Sequence, residues 1–206
     1  MLLCFAKYQL FMEILTDIGL LVVGALLGIG SSGTFWWVQS HYWVPKIRFS
    51  EEIAEYEIKG DRSFFQCAFE NVGKREIIDL DIQVRIGIQG FLGATGWAYH
   101  TVSSNASRVP QLAQSKRRRV RVFDTRETIQ FLDAPSKSLR EEIEKCTSLR
   151  DVLQLGQDAA VRVHVFGYDA FSGARKHFKS REYRIDEIRK GTFNGLDVVQ
   201  NSRFKV

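Results

Sequence analysis

A mainly β domain behind a single membrane-spanning α-helix is the fold class this sequence predicts, and three observations predict it. A charge-free, apolar stretch lies between Asp17 and Lys46. Behind it, apolar and polar residues alternate with period two in several short runs, the pattern of strands buried on one face. Only one segment, near Ser138, changes to helical periodicity. The 206 residues therefore divide into an N-terminal segment 1–17, a transmembrane helix 18–38, an interfacial aromatic linker 39–45, a β-sandwich domain 46–197 and a C-terminal tail 198–206. About 160 residues follow the helix, enough to bury roughly 70% of their unfolded surface in one core.

From Ile18 to Val38 a helix would rise about 32 Å, matching a hydrocarbon layer of about 30 Å. Trp36, Trp37, Tyr42 and Trp43 then supply amphipathic rings that prefer the headgroup level, and Pro45 stops the helix. A cleaved signal peptide has a similar apolar length. One lysine with two acids ahead of the span is no basic n-region, however, and no A-x-A site follows, so an anchor is expected. Lys7 lies before the span against Lys46, Arg48, Lys59 and Arg62 after it, which predicts a cytoplasmic C-terminal domain. Cys4, Cys67 and Cys146, odd in number and without CxxC spacing, agree with a reducing compartment. Asn105-Ala106-Ser107 fits a glycosylation sequon that would matter only on the opposite side. Gly24 and Gly28 form a GxxxG that Ser32 continues by a turn, so close helix association, and with it a homo-oligomer, is expected.

The strands follow in order. Ile47 to Ile58 and Phe64 to Phe69 are the first candidates, with Asn71-Val72-Gly73-Lys74 as a turn. Leu80, Ile82, Val84, Ile86 and Ile88 alternate with Asp81, Gln83, Arg85 and Gly87. Val120 and Val122 repeat the pattern against Arg119 and Arg121, as do Val161, Val163 and Val165 against Arg162 and His164. One helical insertion is predicted, because Ser138-x-x-Glu141 reads as a capping box and Leu139, Ile143, Cys146, Leu149 and Leu153 recur at helical spacing up to Gly156. A shorter turn is expected from Ile185 to Lys190, ended by Gly191. Short strands at this spacing suggest an antiparallel sandwich.

Two patches carry a resemblance. The first is Phe69-Glu70-Asn71-Val72-Gly73-Lys74-Arg75, leading through Ile77, Ile78 and Leu80 to Val84-Arg85. The second is Val165-Phe166-Gly167-Tyr168-Asp169, then Phe171-Ser172-Gly173, then Tyr183, Asp186-Glu187-Ile188, Gly191 and Phe193. In this order they resemble the cytoplasmic immunoglobulin-like domain of inward-rectifier potassium channels, over residues of about 46–197. The resemblance implies an immunoglobulin-like β-sandwich with a gating or sensing role. It does not extend to the pore, since no T-x-G-[YF]-G run and no second span are present, and Lys190 stands where that family usually has Trp. Its members bind anionic lipid through basic residues where the last helix meets the cytoplasmic domain, a place comparable to Lys46 and Arg48.

No P-loop, HExxH, GxSxG or dinucleotide fingerprint occurs, so no catalytic residue, cofactor or metal site is expected. Gly87, Gly90, Gly93 and Gly96 recur every third residue without a helix to follow, which reads as a hairpin or loop with Phe91, Leu92 and Trp97 near its tip. His41, His100, His164 and His177 are far apart in sequence, and His164 should point outward beside Arg162. Lys116, Arg117, Arg118 and Arg119 form the densest charge run, a candidate contact for anionic lipid or a small anionic ligand. Of 29 basic and 24 acidic residues only Lys7, Glu13 and Asp17 lie before Lys46, leaving a modestly basic soluble part. Nucleic acid, which calls for a denser basic stripe, is not an expected partner. The expected function is a membrane-anchored, non-enzymatic sensor or regulatory protein. The alternative is a membrane-perturbing effector or pore-forming oligomer triggered through the soluble domain.

Overall fold

The computed structural model describes residues 2–58, 62–93, 95–102, 107–125 and 136–200; Lys59 of the charge count and Asn105 and Ala106 of the sequon lie outside them. The chain divides into two compact units, Met1–Val44 and Pro45–Val206.

The first unit is one helix, α1, Leu2–His41. It begins well ahead of Ile18, because residues 2–16 contain no glycine or proline and helix propagation does not require an apolar surface. It also runs on past Val38, so residues 39–41 of the expected linker 39–45 are helical. Within it Leu15–His41 is long and apolar enough to cross a membrane, and none of that stretch is buried within the chain.

The second unit is mainly β. Its strands are β1 (Ile47–Phe49), β2 (Ile53–Ile58), β3 (Arg62–Asn71), β4 (Ile77–Gln89), β5 (Trp97–Val102), β6 (Arg108–Leu112) and β7 (Arg117–Asp124), then β8 (Asp158–Asp169), β9 (Arg175–Lys179), β10 (Ile188–Lys190), β11 (Thr192–Asn194) and β12 (Asp197–Val199). One sheet runs β1-β3-β2-β10 with β7 on β3; the other runs β5-β4-β8-β9 with β6 on β4. Phe65, Cys67, Phe69 and Val120 of the first and Ile82, Val84, Ile86, Val161, Val163 and Val165 of the second join one continuous core, two curled layers in the manner of a sandwich. The predicted alternation on β4, β7 and β8 therefore sorts residues inward and outward as expected.

Several local expectations are corrected. The sheets are not wholly antiparallel, since β10 pairs parallel with β2, joining Ile188 to Ile53 and Lys190 to Glu55. The stretch Ile47 to Ile58 is two strands, broken where buried Ser50 turns its Oγ to the Glu52 carbonyl at 2.8 Å. The helical insertion is two helices, α2 (Lys137–Lys145) and α3 (Leu149–Val152). The α2 cap is Ser136, two residues earlier than read, and Ser148 opens α3 through a capping box with Asp151. Ile185–Glu187 is a 3-10 turn that leads into β10, and Val198 and Val199, assigned to the tail, belong to β12.

Gly156 is fixed by geometry: its φ is +76°, and a Cβ there would stand 2.3 Å from the Gln89 carbonyl oxygen. Tyr183 pins the sheets together from within the core. Its hydroxyl donates to the Ser50 carbonyl at 2.7 Å and lies 3.3 Å from Cys67 Sγ, while its backbone bridges Val161. Burial pushes the Cys67 thiol up to about 11, partly offset by its hydrogen bonds to Tyr183 and Ser50, which leaves it an inert core residue.

Candidate functional site: a basic edge and a histidine pair

On α1 the small residues Gly24, Gly28 and Ser32 are exposed. Trp36, Trp37, Tyr42 and Trp43 are exposed as well. Trp37 stacks on His41 with ring centroids 5.4 Å apart, tying the aromatic group to the end of the helix.

Strand pairing gathers the basic residues of the β unit. Arg48 on β1 and Arg117 on β7 both lie opposite Glu70 of β3, and both reach its carboxylate, at 3.8 and 3.6 Å. Lys46, just ahead of β1, offers its carbonyl to the Val72 and Gly73 amides, while the Lys116 carbonyl accepts from the Asn71 amide. Lys46, Arg48, Lys116 and Arg117 thus stand around one end of the first sheet. The β11–β12 hairpin covers the outer face of that sheet, packing Phe193 against Ala54 and Ala68. Arg119 holds it there through a 2.7 Å bond from Nη2 to the Phe193 carbonyl.

A cavity of about 430 Å³ lies between the hairpin and the sheet, lined by Ala68, Arg117, Arg118, Arg119 and Gly195. A second, of about 350 Å³, shares Arg117 and Gly195 and adds Arg48, Glu70 and Asp197. The charge run therefore has two kinds of member. Arg117 and Arg119 are tied into the fold, while exposed Lys116 and Arg118 form no ion pair among the described residues.

The glycine-rich loop differs from its reading. A 3-10 turn, Phe91–Gly93, follows β4, and Phe91 packs against the core instead of projecting. Trp97 stacks on Tyr99 at 5.8 Å, and Gly87 makes room for that Tyr99 ring, which a Cβ would meet at 2.7 Å.

Sequence reasoning missed one arrangement. His164 and His177 come together across β8 and β9, Nδ1 to Nε2, at 2.8 Å. His164 faces outward as expected, yet it is buried, because β9 and its side chains cover it. The signal was the alternation of Arg175, His177 and Lys179, which reads as a strand edge once β9 is recognised. Among the described residues no group of three or more metal-ligating side chains occurs.

No family model matches the chain, and no curated protein matches it. Among solved structures, the sporulation control protein Spo0M of Bacillus subtilis is similar with a TM-score of 0.32 and 16% sequence identity. The match covers 68% of this chain and 49% of that one, so this chain spans about half the length of its structural relative.

Proposed function

We propose that this chain is a membrane-anchored, non-enzymatic sensor or regulatory protein. In this reading α1 crosses the bilayer and self-associates through Gly24, Gly28 and Ser32. The β unit is an immunoglobulin-like sandwich of the channel-gating kind on the cytoplasmic side, which meets anionic headgroups through Lys46, Arg48, Lys116 and Arg118. One observation carries the reading: a helix with a 27-residue apolar stretch, unburied by its own chain, precedes a β unit that closes its own core and gathers those cations at one end. In lipid, close approach of small residues supplies the contact between helices, and each basic residue near an anionic surface contributes about 1 kcal/mol.

Vesicle binding tests the headgroup contact. The fragment Pro45–Val206 is expected to sediment with vesicles of phosphatidylcholine and phosphatidylglycerol and not with phosphatidylcholine alone. Lys116→Ala with Arg118→Ala then weakens binding by about 2 kcal/mol, roughly thirtyfold. Equal binding to neutral and anionic vesicles would remove the electrostatic contact from the reading.

Mass measurement tests the assembly. In detergent, Gly24→Ile or Gly28→Ile is expected to lower the oligomer mass, because a branched side chain holds the two backbones apart. If both variants keep the full mass, the helix is not the contact. Dye release from vesicles by the unmodified full chain would instead favour a membrane-perturbing assembly.

A further inference from the structure

The outer face of the second sheet holds a charged cluster separate from the basic edge of the first. β4 contributes Asp81, Gln83 and Arg85, β8 contributes Arg162 and His164, and β9 contributes Arg175, His177 and Lys179. The register sets Arg85 directly opposite Arg162, and His164 directly opposite Lys179. Like charges facing each other across strands cost stability, so the pairing of Arg85 with Arg162 calls for a compensating charge. Among the described residues the compensation is small. Glu182 takes the Nη2 of Arg162, Asp81 accepts from Gln83 at 3.0 Å, and no carboxylate pairs with Arg85. The Nε atoms of both Arg85 and Arg162 are buried and have no hydrogen-bond acceptor. A buried donor left without an acceptor costs about 1–3 kcal/mol, and more when charged.

We propose that this face is a phosphate-binding site, in which a phosphate group lies between the guanidinium groups of Arg85 and Arg162 beside the His164–His177 pair. Phosphate fits the donor set better than carboxylate does. Its several oxygens reach two guanidinium forks and an imidazole at once, and its negative charge offsets part of the surplus of Arg85, Arg175 and Lys179. The imidazole pair supplies a proton-dependent element. Burial pushes His164 down to about 4, reinforced by Arg85, His177, Arg162 and Lys179. His177 is likewise lowered, first by burial and then by Arg85, Lys179 and Arg175. Both rings are therefore neutral near pH 7, and a bound phosphate anion favours their protonated forms. A bound phosphate anion and a proton on His164 therefore assist each other. This site rests on residues other than those of the proposed headgroup contact, and the two stand or fall separately.

The test follows the His164 imidazole by NMR in the full detergent-solubilised chain, labelled at histidine, while pH is varied. Millimolar inorganic phosphate is expected to raise the His164 midpoint by about one pH unit or more, tenfold in proton affinity. Arg85→Gln should abolish the rise. Arg85→Lys, which keeps the charge without the fork, should reduce it. Lys116→Ala with Arg118→Ala should leave it intact. A parallel arm with phosphatidylglycerol vesicles separates the sources: a rise with vesicles alone assigns a lipid headgroup, and a rise with free phosphate assigns a soluble phosphate compound. No rise in either arm overturns the proposal, as does a rise of the same size in both Arg85 variants.

Discussion

Val163→Asp is expected to unfold the β unit. Val163 is fully buried at the centre of β8, opposite Val84 of β4, in the cluster shared by both sheets. A carboxylate there finds no cation on the inward side of either strand, and burying it unpaired costs several kcal/mol against a typical total stability of about 5–15 kcal/mol. Protonation to escape the charge still leaves an unsatisfied polar group and a packing defect. Circular dichroism and thermal unfolding of the fragment Pro45–Val206 check this, with loss of the cooperative transition expected. The same substitution at exposed Val72 should change stability by no more than about 0.5 kcal/mol. A Val163→Asp protein that still melted with the unmodified one would contradict the two-sheet core.

Asp169→Ala is expected to destabilise the β unit by about 3–5 kcal/mol, because it strands a guanidinium that the fold has drawn in from water. Asp169 ends β8 with its side chain 2% exposed, and its carboxylate accepts from Arg75 at 3.1 Å, from Ser172 Oγ at 2.8 Å and from the Phe171 amide at 3.1 Å. Arg75 in turn lies over the Phe171 ring, 4.2 Å from its centroid. Burial by itself pushes the Asp169 carboxyl up. The bonds from Phe171, Ser172 and Arg75, with the Arg75 charge, outweigh it and hold the group below its ordinary value. A carboxyl depressed in the folded state contributes stability that is fully present above its unfolded pKa and is lost as pH falls through the folded one. Thermal midpoints measured from neutral pH into the acid range should therefore fall more steeply for the unmodified protein than for Asp169→Asn. Parallel curves would remove the carboxylate from the acid response.

That turn also shows what the sequence made legible. The turn run Phe171-Ser172-Gly173 was visible as turn chemistry, and in the structure it forms with Asp169 one hydrogen-bonded corner that Arg75 closes from a distant segment. Period-two alternation was legible wherever one strand face is buried, as at Val84 and Val163. Pairing was not. Nothing local to residues 188–190 announces a parallel partner at residues 53–55, and nothing local to His164 announces His177.

Other misses had readable signals. Ser148-Leu149-Arg150-Asp151 has the spacing of a cap, and it ended the single helix read from apolar periodicity. The basic run was visible as charge, but the anchoring of Arg117 and Arg119 within it depends on Glu70 and Phe193, which arrive from distant segments.

The partnership of β4 with β8 bears on how the chain matures. β4 is complete at Gln89, yet its long neighbour begins only at Asp158 and returns antiparallel along nearly its whole length, from Gln89↔Asp158 to Ile77↔Asp169. During synthesis one edge of β4 must wait while residues 90–157 are made, and contacts of such long range form slowly because a large loop has to close first. A waiting apolar edge is a template for pairing with other nascent copies. Asp81, Gln83 and Arg85 alternate along the outer face of β4, so the strand carries polar gatekeepers throughout the interval before its partner exists.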